Sequence, residues 1–490
     1  MIEALVIAAP ACAILTGATT WFARTARQAD TVNLVGATLT AALSLALAGI
    51  GLADAGDPHR GVWWVLDAAG GVFLAVIAVI GLLSALVAPA QLAASGRGLV
   101  TAVRARSMYY LAFYAFWAAL LLIPLVDNLG LAWLLVEATT GASALLVAYS
   151  GTRGALEAGW KYLVLTTFGL AVAMLGIIVL YVAIAPSGGA LATLDWQSIA
   201  RAAPRLADGP AVVAFVLIVA GLATKVGWAP VHNWLPDAHS EAPPAVSALL
   251  SAALLPTVVL VVWRVLTTLG PALAPGTASA LVLAFGLVSL AVAVPFLWRS
   301  MAWKRLLAYS SLEHMGVLAI GIGFATPLAT AGVIVHVAGH ALAKSLGFYA
   351  AGPMLRHAPR AHERAVRGLA FANPPTATAA GVSIGALAAM PPSPLFVSEL
   401  LILLGGITAG ETAVTILAAL LLALGFLGLA HALIDALVGE PRVKRWRSVR
   451  SARRLNRLTA VCGVLMLALT IAAVTLPGSA TVEHLMAGIR

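Results

Sequence analysis

The sequence predicts an all-α integral membrane protein with about 14 transmembrane helices. Apolar residues make up 61% of the 490 positions and charged residues only 10%, with a mean hydropathy of +0.99. A soluble chain of this length needs far more polar surface. Apolar runs of roughly 18 to 25 residues recur, which is the length that crosses a hydrocarbon core of ~30 Å. No stretch alternates as a membrane-barrel strand does. Helices therefore remain, because they satisfy every backbone polar group inside lipid.

The spans follow from the apolar runs and the charged residues, prolines and glycines between them. The chain 1–490 is predicted as a single membrane domain. The predicted spans are 2–23, 32–53, 69–89, 109–126, 128–150, 160–185, 210–229, 244–266, 276–298, 306–324, 328–352, 371–391 (continuing as 395–409), 412–438 and 457–477. The N-terminal segment lacks the basic start of a secretory signal, so it is interpreted as a retained first span.

Basic residues fall mainly in alternate loops. One face receives 22 of the 29 lysines and arginines, including the dense run at 440–457, and the other face receives five. The positive-inside rule predicts that the richer face is cytoplasmic, with both termini outside the inner (plasma) membrane. The net charge of +10 therefore reflects topology and does not indicate nucleic-acid binding.

The sequence indicates no cofactor. Cys12 and Cys462 lie in apolar runs at opposite ends of the chain, so they have neither redox nor iron–sulfur spacing. A phosphate-binding loop of the GxxxxGK kind is absent from the sequence. The energy that drives this protein must therefore come from elsewhere.

The spacing of charges inside the spans predicts an internal repeat. Glu137 and Lys225 are 88 residues apart, and Glu313 and Glu399 are 86 apart. Each pair begins in the second span of a five-span block, one at 109–266 and the other at 276–438. An odd number of spans forces the two blocks to be inverted, a common transporter plan. Broken helices are expected near 225–244 and 391–395, where prolines interrupt the runs.

Glu137 and Lys225 are the first candidate pair for ion movement. A charge at mid-membrane depth costs on the order of 2.5–3.5 kcal/mol unless it is paired or wetted. One interpretation is a structural ion pair that locks two helices. The preferred interpretation is a pair whose separation makes the desolvated lysine release its proton. Lys225 lies at the predicted helix break, where movement and water are easiest.

A second set of candidates is the row His336, His340 and Lys344. Their spacing of four places all three on one helix face, about 6 Å apart along the axis. Histidine titrates near neutral pH, so such a row can relay protons through intervening water. Packed core histidines are the alternative. No metal site is expected, because the row lacks a third ligand of the HExxH kind.

The remaining candidates are polar points near the two breaks. His232, Asp237 and His239 follow the first break and predict a cytoplasmic point of proton uptake, with a loop that caps helix ends as the alternative. The second half of the chain supplies matching polar side chains at Glu313, His314 and Glu399.

These motifs resemble those of a known family. LLVEATTGASALL, GLATKVGWAPVHNWLPDAHSEAPPAVSALLS, KRLLAYSSLEHMG, HVAGHALAKSLGFYAAG and PPSPLFVSELLIL are similar to the antiporter-like membrane subunits of respiratory complex I. The similarity is strongest to the F-type subunit of hydrogenase 4 and formate hydrogenlyase complexes. The large subunits of Mrp sodium/proton antiporters are more distant relatives. The resemblance covers roughly residues 70–440.

The resemblance implies a set of site residues, and the sequence departs from the family pattern at two points. The central Glu–Lys pair of the family matches Glu137 and Lys225, and its polar axis matches the histidine row, Lys344 and Glu399. Many members carry a lysine or histidine midway along span eight, where this chain has Pro256. The link between the two half-channels is therefore expected to be water or His314. A long lateral helix of the distal complex I type is also missing from the sequence.

The resulting hypothesis is a proton-translocating subunit of a respiratory hydrogenase- or NADH dehydrogenase-like complex. The redox chemistry would lie in partner subunits, and this chain would hold no catalytic, cofactor or metal site. The alternatives are a subunit of an Mrp-type sodium/proton antiporter and a non-pumping membrane scaffold.

Overall fold

The structure, a computed structural model, is almost entirely helical, as the sequence predicts. It describes residues 2–54, 56–92, 102–185, 193–357, 366–438 and 449–475. Within these ranges, 13 helices are long and apolar enough to cross a membrane. A fourteenth span is formed by two shorter helices in succession, so the predicted count of 14 is confirmed.

The helices follow one another in the order of the predicted spans. The helices are α1 (Ile2–Thr20), α2 (Ala26–Ala53), α3 (Ala68–Leu92), α4 (Ala102–Leu122), α5 (Leu129–Val147), α6 (Arg153–Ile184), α7 (Trp196–Ala202), α8 (Asp208–Val226), α9 (Leu235–Glu241), α10 (Pro244–Leu249), α11 (Leu255–Leu269), α12 (Thr277–Leu297), α13 (Trp303–Phe324), α14 (Pro327–His357), α15 (Leu369–Ala372), α16 (Pro374–Leu387), α17 (Pro394–Thr408), α18 (Thr412–Val438) and α19 (Val449–Thr475). A short hairpin of β1 (His59–Arg60) and β2 (Val65–Leu66) lies between α2 and α3. A π-helical turn at Leu250–Leu254 joins α10 to α11, so these form one continuous span.

Several helices extend beyond the apolar run that predicted them. α4 begins at Ala102 where the sequence predicts 109, and α6 begins at Arg153 where it predicts 160. The added turns carry basic side chains such as Arg104 and Arg153. Long basic side chains can keep their charge in the interfacial region while the backbone stays helical, so apolar composition underestimates helix length at this end.

Both predicted helix breaks are present. α8 ends where Gly227 takes a left-handed conformation at φ 79°, and the chain resumes helical geometry only at Leu235. The second break runs from Ala388 to Ser393, so it begins three residues earlier than predicted. Ser393 then caps α17 by accepting a hydrogen bond from the Phe396 backbone nitrogen at 3.2 Å.

The most deeply buried helices lie at the centre of the molecule. Within an apolar stretch of 18 residues in each span, all residues are buried in α10–α11 and 94% are buried in α13 and in α14, against 28% in α18. Small residues allow close packing: a Cβ added to Gly221 of α8 would lie 2.4 Å from the Ala173 backbone nitrogen of α6. Of the eleven candidate residues, α13 and α14 carry five: Glu313, His314, His336, His340 and Lys344.

Among the described residues, ionic contacts join segments that the sequence places at the same face of the membrane. Asp237, in the break of the seventh span, pairs with Arg305 at the start of α13 and lies 3.7 Å from Lys161 near the start of α6. At the other end, Arg60 of the hairpin pairs with Asp127 before α5 at 2.8 Å.

Of the basic run at 440–457, residues 440–448 lie outside the described residues, as do residue 490, Arg97, Arg360 and Arg364. The inverted relation of blocks 109–266 and 276–438 stays a prediction.

A buried ion pair fixes one end of the eighth span. Nη2 of Arg264 donates to Asp67 Oδ2 at 2.7 Å and to the Pro124 carbonyl at 3.1 Å. Both charged side chains are almost fully buried. The pair thus ties α11 to the start of α3 and to the chain after α4.

The variant Asp67→Ala is expected to lower the free energy of unfolding by about 3–5 kcal/mol, because it leaves Arg264 buried without a counter-charge. Thermal unfolding of the detergent-solubilised protein measures the change. The double variant Asp67→Leu, Arg264→Met should recover most of the loss, since both charges are removed together. An unchanged melting temperature for Asp67→Ala would contradict the role assigned to this pair.

Candidate functional site

Lys225 lies fully buried in the last turn of α8, directly before the helix break. Its Nζ donates to Thr140 Oγ1 on α5 and to the Tyr162 hydroxyl on α6, both at 2.6 Å. The Tyr162 hydroxyl also lies 2.8 Å from Ser143 Oγ. Hydroxyl groups thus take the place of water around the ammonium, which lowers the free-energy cost of burying a charge at this depth.

Glu137 also lies beside the Thr140 hydroxyl that Lys225 contacts. Its Oε1 accepts a hydrogen bond from Thr167 at 2.8 Å, and its Oε2 lies 3.5 Å from Thr140 Oγ1. The side chain is half-buried. In this structure Glu137 and Lys225 form no direct ion pair, and Thr140 lies between them. The arrangement is that of the separated pair, with a hydroxyl as the connecting group.

The residues after the first break separate into a surface group and a buried group. Asp237 belongs to the ion-pair group with Arg305 and Lys161, and His232 is half-buried. His239 is fully buried on α9, and neither of its ring nitrogens has a hydrogen-bond partner among the described residues. Asp237 and His239 lie on the same short helix, α9, which therefore connects the surface group to the buried group.

Lys304 is a buried residue that sequence reasoning placed in a loop. It lies at the start of α13 with only 4% of its surface exposed. Its Nζ donates to the Ser240 carbonyl at 2.7 Å and to the Ala242 carbonyl. These carbonyls end α9, so Lys304 caps the connection between the seventh and eighth spans with a positive charge. Its position at the edge of a basic loop gave no signal of burial.

Three histidines from two helices form a buried cluster. His314 of α13 contacts both His336 and His340 of α14, with ring centroids 5.1 and 5.2 Å away. Nδ1 of His314 lies 3.1 Å from Nε2 of His336, and His336 Nδ1 lies 2.9 Å from Ser398 Oγ on α17. The predicted row on α14 is fully buried, and His314 joins it from the neighbouring helix.

Two adjacent serines of α13 make separate contacts, one with Lys344 and the other with the eighth span. Lys344 Nζ donates to Ser310 Oγ at 2.8 Å and to the Leu307 carbonyl at 3.0 Å. The adjacent Ser311 lies 2.7 Å from Ser251 Oγ, in the π-helical turn five residues before Pro256. The eighth span thus supplies a hydroxyl near the position where many family members carry a charge. Turns of this kind are frequent at functional sites.

Two carboxylates line a cavity at the far end of the row. Glu313 of α13 and Glu399 of α17 face a space of about 140 Å³ between α16, α17 and α18, which has room for several water molecules. A Cβ added to Gly425 would lie 1.9 Å from Glu313 Oε1, so the absence of a side chain there gives the carboxylate its place. Ala423 and Phe426 at the rim are exposed.

Several buried polar atoms of these residues have no hydrogen-bond partner among the residues that the structure describes. They are both ring nitrogens of His239 and His340, Nε2 of His314 and Oε2 of Glu313. Buried polar atoms are nearly always satisfied by protein or by ordered water. Because these residues are polar and adjoin a cavity, we expect water to be the partner of these atoms.

Comparison with known proteins identifies the family. A family profile described as NADH:quinone oxidoreductase/Mrp antiporter, TM, matches residues 126–425, which include every candidate residue. This chain belongs to the NADH:quinone oxidoreductase/Mrp antiporter family. The resemblance stated from the motifs is thereby confirmed.

Relatives within the NADH:quinone oxidoreductase/Mrp antiporter family include subunits of several complexes. The chain is 34% identical over 318 residues to a hydrogenase-4 component F homolog of Methylacidiphilum infernorum, covering 64% of this chain and 66% of that protein. It is 29% identical to NADH-quinone oxidoreductase subunit N of Desulforudis audaxviator, covering 84% and 80%. A chain of the Mrp complex from Dietzia sp. DQ12-45-1b has the same fold, with a TM-score of 0.81, 19% identity and 99% coverage of both chains.

The variant Thr140→Val is expected to lower proton flux about tenfold or more, because a hydrogen bond to a charged group contributes ~1.5–3 kcal/mol. Valine keeps the shape of threonine and removes the hydroxyl between Lys225 and Glu137. Thr140→Ser is the matched control and should retain most of the flux. Proton uptake by proteoliposomes, normalised to inserted protein, measures both. Equal flux in the valine and serine variants would exclude this hydroxyl from the path.

Proposed function

We propose that this chain is a proton-translocating, antiporter-like membrane subunit of a respiratory hydrogenase- or NADH dehydrogenase-like complex. The supporting observation is the series of titratable side chains that runs from Glu137 and Lys225, through His239, to the histidine cluster and Glu399. Lys225, His239 and the three histidines are buried, Glu137 and Glu399 are half-buried, and the series includes several buried polar atoms without a partner among the described residues. Burying this many ionisable groups is costly, and such groups inside a membrane mark ion pathways.

The proposal gives each group a role in one route. Asp237 and His239 take up protons at the end that carries the basic loops. The hydroxyl-linked pair Glu137 and Lys225 changes its protonation when the two groups move relative to each other, and Lys344 passes protons on to the histidine cluster. Glu313 and Glu399 then exchange protons with the water of the cavity.

The redox chemistry of this complex would be in partner subunits. The named relatives, hydrogenase-4 component F and NADH-quinone oxidoreductase subunit N, are subunits of such assemblies. We assign the basic face to the cytoplasm and both termini to the outside of the plasma membrane, on the basis of the loop asymmetry. We assign coupling to protons, and proton flux measured with and without sodium would detect exchange for Na⁺.

The variant Lys225→Arg tests the central step. Arginine keeps the positive charge and hydrogen bonding but scarcely releases its proton, so flux should be lost, as in Lys225→Ala. Proton flux in vesicles reconstituted with the complex measures the effect, and the insertion level of each variant serves as the control for folding. Wild-type flux in the arginine variant would overturn the proposed role of Lys225.

The variants His340→Leu and His340→Gln test the row on α14. Leucine should reduce flux strongly, because it leaves an apolar gap of about 12 Å along the helix between His336 and Lys344. Glutamine should be less harmful, since it can still hold water by hydrogen bonds although it cannot take up a proton. Flux per inserted molecule is the measurement. If leucine were tolerated and only the insertion level changed, the row would be core packing.

A further inference from the structure

Three helices bring a set of metal-ligand atoms together at the histidine cluster. His314 of α13, His336 of α14 and Glu399 of α17 each offer one ligand atom, and these atoms lie within 4.8 Å of one another. The three residues are far apart in the sequence, and Glu399 supplies the additional ligand that the spacing on α14 lacked. His314 lies midway along α13, so the set is deep within the predicted membrane.

The hydrogen bonds around His336 orient one ring nitrogen as a ligand. Ser398 Oγ lies 2.8 Å from the Leu395 carbonyl, which only accepts, so the single hydroxyl proton is used there. His336 Nδ1, 2.9 Å from the same oxygen, must therefore donate. Its proton is then on Nδ1, and Nε2 presents a lone pair toward His314. Fixing the tautomer through the other nitrogen is how metal-binding histidines are usually prepared.

The distances suit a small tetrahedral ion. Zn²⁺ takes imidazole nitrogens at about 2.0–2.1 Å, which sets two ligand atoms of a tetrahedral site about 3.3–3.4 Å apart. His314 Nδ1 and His336 Nε2 are already 3.1 Å apart. Glu399 is half-buried beside the cavity, so side-chain rotation can bring its carboxylate closer. Water from the cavity can fill the fourth position.

The ligand types select the metal. Two imidazoles with one carboxylate suit zinc and neighbouring first-row ions. Ca²⁺ and Mg²⁺ require mostly oxygen ligands in larger number, which this cluster does not supply among the described residues.

We propose that Zn²⁺ binds between His314, His336 and Glu399. The ion occupies the place of the proton between the two imidazoles, and the His314 proton is carried on whichever of its nitrogens does not bind the metal. Bound Zn²⁺ blocks the proton route at this cluster. The block rests on the proposed function, whereas the binding of zinc does not.

A direct binding experiment tests the site without reference to transport. The full-length protein, purified with its co-purifying subunits and stripped with a chelator, is titrated with zinc chloride against a fluorescent zinc indicator. One Zn²⁺ per chain is expected, and His336→Gln and Glu399→Gln should each weaken the affinity about tenfold or more. His59→Gln is the matched control, because His59 pairs with Asp54 at the surface and should leave this affinity unchanged.

Two results would overturn the site. Unchanged affinity in both His336→Gln and Glu399→Gln would do so, and so would loss of binding in His59→Gln. Excess Mg²⁺ should not displace the zinc, and displacement would contradict the assigned ligand set. Zinc that binds with this pattern but leaves the flux of the wild-type complex unchanged would confirm the site and count against the proposed proton route through it.

Discussion

The dominant constraint on this structure is the cost of placing charged groups where water is scarce. Lys225, Lys304 and Lys344 are all buried inside the protein. Each ammonium is met by two oxygen atoms supplied by the protein: hydroxyls for Lys225, carbonyls for Lys304, and one of each for Lys344. Without those oxygens, the desolvation of each charge would exceed what apolar packing can offset.

A helix interruption supplies two of these oxygens, the carbonyls that meet Lys304. The last carbonyls of a helix have no partner within that helix, so they can meet a neighbouring charge. The break after Val226 places Lys225 at a helix end, and the short α9 exposes the carbonyls that Lys304 binds. The π-helical turn of the eighth span similarly turns Ser251 toward α13. The irregular segments thus lie next to the charges, in the most buried part of the protein.

Sequence patterns predict the spans, both breaks and the shared helix of His336, His340 and Lys344, because each of these depends on residues close together in the chain. The hydroxyl partners were not predictable in the same way. Thr140, Tyr162 and Ser398 are common residues in membrane helices, and nothing local indicates which of them faces a charge. Glu399 and His314 come together only through packing of α13, α14 and α17, and Lys304 was assigned to a loop because a basic residue beside a helix end usually lies at the surface.

The single hydroxyl of Thr140 limits how charge can pass between Lys225 and Glu137. While the hydroxyl oxygen accepts from the ammonium, its one proton can point only toward Glu137 or the Val136 carbonyl. A proton handed on through this group leaves the hydroxyl turned the opposite way, and it must rotate back before the next transfer. Such a link passes at most one proton for each rotation of the hydroxyl. It therefore cannot serve as a continuous proton-conducting path that would let protons leak across the membrane.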